Sequence, residues 1–197
     1  MSQPPSKKEA RKPSARERIF GTASELFYRH GIRAVGVETI AAEAATTKMG
    51  LYRNFPSKDD LVAEWLRSHD EKFWQHWDAM SRRHPDNPRR QLDAAFALLS
   101  KHFADPRARG CPMANAAVEI TEKTHPARRV IEAHKKKLRT RLLELCAAAG
   151  ARQPQLLADQ LFLLMEGAQV TVVTLGVRGP ARNVVPAAKA LIRSQLR

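Results

Sequence analysis

Cysteine is nearly absent from this 197-residue chain, with Cys111 and Cys146 the only two. They cannot build a disulfide framework, and no Cys/His spacing around them forms a metal-ligand cluster. Aromatic residues make up only 6% of the chain, which argues against a broad aromatic-lined pocket for many drugs. The seven histidines (His30, His69, His76, His84, His102, His125 and His134) are scattered. No His-Glu-x-x-His pair, phosphate-binding glycine loop or Gly-x-Ser-x-Gly elbow accompanies them, so catalysis is not expected. The first fifteen residues lack the apolar core of a secretory signal. The longest apolar stretch, residues 161–177, is interrupted by Glu166 and Gln169 and falls short of a membrane span. These absences describe a cytoplasmic protein with no membrane, metal or cofactor.

What is abundant is positive charge. The net charge is +14 and the isoelectric point is near 10.5, so anionic partners are the default expectation. Residues 1–60 hold 11 basic and 7 acidic side chains, so most of the excess lies beyond them. Charge alone therefore does not locate a site, and part of it serves solubility. The length allows one large domain or two small ones, with ample core.

Residues 37–55 carry the strongest pattern: two short helices joined by a tight turn. The first runs from about Val37 to Ala44, and Ile40, Ala41 and Ala44 give it an apolar stripe of small residues that a second helix can approach closely. Ala45-Thr46 forms the turn. Thr47 is then a natural N-cap. In the second helix Leu51 and Phe55 face inward, leaving Lys48, Met49, Gly50, Tyr52, Arg53 and Asn54 outside. That donor-rich surface suits base edges and phosphates.

On these residues the chain resembles the TetR (tetracycline repressor-like) family of bacterial transcription regulators. Residues 15–31 look like the family's first helix, closed by Gly31. Ile40-Ala41-x-x-Ala44 is similar to the start of its helix-turn-helix, Leu51-Tyr-Arg-Asn-Phe55 to its end, and Pro56-Ser-Lys-Asp-Asp-Leu61 to the lead into its fourth helix. The resemblance covers roughly residues 15–66. It departs at Ala45, where the family commonly has a turn glycine, and at Met49-Gly50, which replaces a Gly-Thr or Gly-Ser pair. The first departure suggests a slightly different turn, and the second prevents any transfer of base preference.

Elsewhere the periodicity predicts an all-α fold of about nine helices. A basic arm, 1–13 (Lys7, Lys8, Arg11, Lys12), reads either as a solvated tail or as a minor-groove arm, the tail being favoured. The helix-turn-helix DNA-binding domain is 14–56. A helical effector-binding and dimerisation domain spans 57–197, its first helix (57–84) connecting the two. That helix presents Leu61, Val62, Trp65, Leu66, Phe73, Trp77 and Met80 to a core. Further helices run from about Pro88 to Ala104, from Pro112, from Pro126 to Ala149, from Pro154 to Val177 and from Val184 to Leu196. The Gly-Cys-Pro…Asn-Ala-Ala segment after Gly110 looks like segments in the regulatory domains of some TetR-type proteins.

The expected partners are double-stranded operator DNA, a second copy of the chain and an unknown small-molecule effector. The DNA contacts are Thr47, Lys48, Met49, Gly50, Tyr52, Arg53 and Asn54, with Thr39 and Lys58 at phosphates. For Tyr52 the competing reading is a half-buried aromatic with its hydroxyl in water. The resemblance implies dimerisation through the last two helices, using Leu161, Leu164, Ala168, Val172, Leu175, Ala188, Leu191 and Ile192. It also implies an effector pocket, for which Trp65, Phe73, Trp77, Phe96, Phe103, Met113, Asn115, Met165, Glu166 and Gln169 are candidates. Most of these read equally as plain core. Glu166 and Gln169 need polar partners, either a ligand or, slightly favoured, a structural pair. Two alternatives stay open: a non-specific architectural DNA binder, and a redox sensor acting through Cys111 beside Arg107 and Arg109. A regulator of this kind is expected in the bacterial cytoplasm, associated with the nucleoid.

Overall fold

The computed structural model describes residues 11–105 and 107–196. These form nine α-helices, α1 (Ala15–His30), α2 (Val37–Glu43), α3 (Lys48–Asn54), α4 (Lys58–Ser81), α5 (Pro88–Phe103), α6 (Pro112–Glu119), α7 (Pro126–Ala148), α8 (Pro154–Leu175) and α9 (Val184–Gln195), plus a 3-10 turn at Pro180–Asn183. No strand occurs among the described residues. Of the basic arm, Arg11, Lys12 and Pro13 fall within them; Lys7 and Lys8 lie outside.

The helix boundaries follow local chemistry. Ser14 opens α1 with a reciprocal capping box: its hydroxyl accepts from the Glu17 amide, and Glu17 accepts from the Ser14 amide. Thr47 caps α3 through the Gly50 amide, Ser57 caps α4 through Asp60, and Asn87 caps α5, with Pro88 at its first position. Gly31, Gly150 and Gly176 follow α1, α7 and α8 with positive φ, where glycine avoids a Cβ clash.

Two apolar cores result. The first joins α1, α2 and α3 to the beginning of α4 and also takes in Cys111, Met113, Ala116, Ile120, Ala127 and Ile131 from the α6–α7 region. The second is built by the rest of α4 with α5, α7, α8 and α9. α4 runs through both, so it is a rigid link between them. One residue of its expected core face shifts: Trp74 is buried where Phe73 was expected, and Phe73 is half-buried. Trp74 is held there by donating Nε1–H to Asp70 Oδ1 at 2.7 Å, while Lys137 sits 4.0 Å from its ring centroid. α8 is long and apolar enough by length and composition to cross a membrane. In the fold it instead contributes Leu157, Leu161, Met165, Ala168 and Val172 to the second core.

Candidate nucleic-acid interface

The three N-terminal helices fix which face of α3 reaches solvent. Leu51 and Phe55 are 0% and 1% exposed against Ile19, Phe27 and Ile40, so the opposite face must point outward. It presents Lys48, Met49, Tyr52 and Arg53, all exposed, and Thr39 stands exposed on α2. Met49, at 66% exposure, is among the most exposed large apolar side chains of the described chain. Such a side chain is suited to a thymine methyl.

Two arginines brace this unit. Arg18 donates from Nε to the Ala44 carbonyl (3.3 Å) and from Nη1 to the Pro13 carbonyl (3.2 Å), tying the lead into α1 to the α2–α3 turn. Arg16 lies 4.6 Å over the Phe55 ring and 2.6 Å from Glu64 Oε2. Neither role is visible in the sequence, because Ala44, Phe55 and Glu64 are distant along the chain from the arginines they meet.

The turn shows how the two sequence departures work. Ala45 adopts φ 51°, the left-handed conformation that favours glycine. The turn therefore accepts an alanine at a local cost of roughly 1–2 kcal/mol. Gly50 is needed for packing as well as approach: a Cβ there would stand 2.4 Å from Thr46 Oγ1.

Several of the expected DNA contacts are engaged within the chain, Thr47 by capping α3. Lys48 Nζ pairs with Glu38 Oε1 at 2.6 Å, which raises the lysine pKa and lowers that of the glutamate. Asn54 Nδ2 donates to the Gly50 carbonyl at 2.8 Å, turning its amide onto the helix. Lys58 Nζ donates to the Ile32 carbonyl at 2.7 Å, and burial lowers its pKa. Lys58 thus ties the start of α4 to the loop after α1.

The matches to known proteins coincide with this unit. Residues 19–65 fit the family described as bacterial regulatory proteins, tetR family. The Staphylococcus aureus regulator QacR is 31% identical over 62 residues, which is 32% of this chain and 33% of QacR. The Rhodococcus jostii repressor KstR2 is 36% identical over 67 residues, covering 34% and 33% of the two chains. The match thus spans about a third of each curated relative. Similarity to a solved TetR-family regulator from Streptomyces coelicolor is far more extensive: 28% identity over 93% of this chain and 96% of that one, with a TM-score of 0.88. Residues 19–65 match the TetR family, and the whole chain shares the fold of that solved TetR-family regulator. A putative TetR regulator from Streptomyces avermitilis has the same identity, covering 93% and 98% of the two chains with a TM-score of 0.80.

The expected effector residues do not converge on one pocket. Trp65 and Met113 belong to the first core, while Trp77, Phe96, Phe103 and Met165 belong to the second. Phe73 stacks among Trp74, Trp77 and His134, and Asn115 donates to the Arg109 carbonyl at 2.7 Å. Glu166 has a partner within the chain, Lys135 Nζ, 2.6 Å from each carboxylate oxygen. Gln169 lends its carbonyl to a close approach by Gly110, whose Cβ position is 3.0 Å away. A hollow of about 140 Å³ near Trp77 is otherwise lined by Asp78, Ser81, Gln91, Arg141, Glu144 and Leu145.

The helix faces expected at a dimer interface differ most. Leu161, Ala168, Val172, Ala188 and Ile192 are buried inside the subunit's own second core, and Leu164 and Leu191 are half-buried against it. Of that set only Leu175 is largely exposed, at 64%. The outward apolar stripe of α8 is instead Leu156, Leu163, Val170 and Val173, continuing to Leu175 and Val177. Leu156, Leu163, Val170 and Val177 recur every seventh residue, a spacing that was legible without the structure.

Cys111 is buried at the start of α6, with Lys135 Nζ 3.5 Å from its sulfur. Arg107, one of the expected neighbours, pairs with Asp105 instead. Three further contacts tie α1, the loop after it and α4 to α6 and the segments flanking it. The Tyr28 hydroxyl accepts from the Arg109 amide (2.7 Å), Glu119 accepts from the Arg33 amide (2.9 Å), and His125 Nε2 meets Asp59 Oδ1 (3.3 Å).

Proposed function

We propose that this chain is a sequence-specific transcriptional repressor that binds a near-palindromic operator as a homodimer and is released by a small-molecule effector. The observation that carries the reading is α3: a capped, core-anchored helix with Lys48, Met49, Tyr52 and Arg53 exposed on its outer face. One such short helix reads only a few base pairs, so specificity calls for two copies about 34–36 Å apart, or a multiple of that spacing. The apolar stripe of α8 supports the pairing: it is exposed on the subunit, continuous, and lies on the helix opposite its buried face. Thr39, Thr47, Gly50, Asn54 and Lys58 complete the DNA-facing set. Asn54 contributes as a brace of α3, and Lys58 reaches a phosphate by exchanging its bond to Ile32.

The effector acts in the second domain (57–197). A ligand entering among α4, α5, α7 and α8 displaces α4, and with it α3 of the same subunit, changing the half-site spacing. Trp77, Phe96, Phe103 and Met165 are close-packed in this structure, so such a ligand opens its space by moving side chains. The protein acts in the bacterial cytoplasm at the nucleoid and carries out no catalysis of its own.

The test is selection of genomic fragments by the purified protein at about 150 mM salt, where phosphate-only binding is weakened. Recovery of one short palindrome, preferred over random duplex by about 10³ or more, is the expected result. Recovery of random fragments replaces this reading with an architectural DNA-binding protein.

A further inference from the structure

A hollow of about 220 Å³ opens in the seam between α5 and α9, lined by Arg89 and Asp93 from α5 and Lys189, Ile192 and Arg193 from α9. Ile192 is buried and gives the hollow a low-dielectric wall. Its four charged side chains are three cations and one carboxylate, a net charge of +2. Among the described residues, none of the three cations is in an ion pair, although Arg139 and Arg141 on α7 both are. Arg89 also lies in the first turn of α5, where the helix dipole adds positive potential.

Three like charges gathered on an apolar wall repel one another, and the concave surface focuses their field on an incoming anion. Operator DNA at α3 does not supply that anion. α5 begins beyond the far end of α4, a 24-residue helix that spans about 36 Å from its start beside the DNA-binding unit. None of the residues lining the seam belongs to the exposed stripe of α8.

We propose that this hollow binds a small free dianion, with a phosphate monoester as the class that fits best. Two arginines supply planar, bidentate donors for phosphate oxygens, and Lys189 adds a point charge. Asp93 opposes the anion, and the three cations outweigh it. Occupancy bridges α5 to α9. The inference stands apart from the DNA-binding reading, since it needs neither α3 nor a dimer.

The test is calorimetric titration of the full-length protein with glycerol 3-phosphate and with inorganic phosphate, at about 0.15 M chloride to screen diffuse surface attraction. Saturable binding is expected. Arg193→Gln and Lys189→Gln should each weaken it about tenfold, the loss of one charge-assisted contact. Asp93→Asn should tighten it several-fold, an effect that a merely structural role would not produce. Arg129→Gln, on an exposed position of α7, should change nothing. All four positions are at the surface, and circular dichroism confirms that each variant is folded. Absence of saturable binding, or equal weakening by Arg129→Gln, overturns the site. Capture on phosphatidic-acid vesicles without binding of either soluble probe also overturns it, replacing a free metabolite with a lipid headgroup.

Discussion

Lys48 and Glu38 form an ion pair that joins the first turns of α3 and α2, with Nζ and Oε1 2.6 Å apart. Both side chains are largely exposed, so the pair adds little to stability. Its consequence is electrostatic: on the proposed reading, Lys48 meets DNA already holding a carboxylate.

On that reading the carboxylate should limit non-specific binding. Glu38→Gln should raise affinity for random duplex several-fold at low salt and steepen the dependence of log K on log salt by up to about one unit. Lys48→Ala should weaken operator binding and flatten that slope by about one. Filter-binding titrations across salt concentrations measure both. Unchanged slopes in both variants would exclude Lys48 as a phosphate contact.

The left-handed alanine in the helix-turn-helix is a repairable strain. Ala45→Gly should stabilise the protein by about 0.5–1 kcal/mol, the relief of the Cβ clash less the added freedom of the unfolded chain. Gly50→Ala should do the reverse, because its Cβ arrives 2.4 Å from Thr46 Oγ1. Thermal unfolding monitored by circular dichroism separates the two signs.

Acid should destabilise the junction between the halves. His69 packs edge-on against Trp65 and near Tyr28, and burial lowers its pKa to about 4 from 6.5. Below pH 6.5 the unfolded chain takes up a proton that the folded state refuses, so stability falls as pH drops. The loss levels off below about pH 4, at roughly 3 kcal/mol from this residue. Burial shifts His134 in the same direction despite its hydrogen bond to Asp70. Urea denaturation at pH 7 and pH 5 should show His69→Gln losing less stability on acidification than the parent; an equal loss would rule out His69 as a source.

The two faces of α8 should respond differently. Leu163→Glu or Val170→Glu, on the exposed stripe, should yield a folded monomer in analytical ultracentrifugation and abolish binding to a palindrome. Leu161→Ala, fully buried, should cost about 2–5 kcal/mol of stability through the cavity it leaves. A dimer that survives both glutamate variants would place the interface elsewhere.

Local chemistry was enough to read most of the fold. Caps at Thr47, Ser57 and Asn87, prolines at the starts of α5 to α8 and the apolar periods of each helix set boundaries that the structure reproduces to within about three residues. Leu51 and Phe55 at i, i+4 likewise determined which face of α3 is free. What tertiary structure alone decided is pairing between distant positions. Glu38 with Lys48, Arg18 with Ala44, Lys135 with Glu166 and Lys58 with Ile32 are made by helix docking, and no periodicity encodes them. The same limit applies to α8: an almost wholly apolar helix carries little contrast between its sides, so its own sequence left open which side is core. The neighbours decided it, when α5, α7 and α9 covered Leu161, Ala168 and Val172 and left Leu163 and Val170 in water.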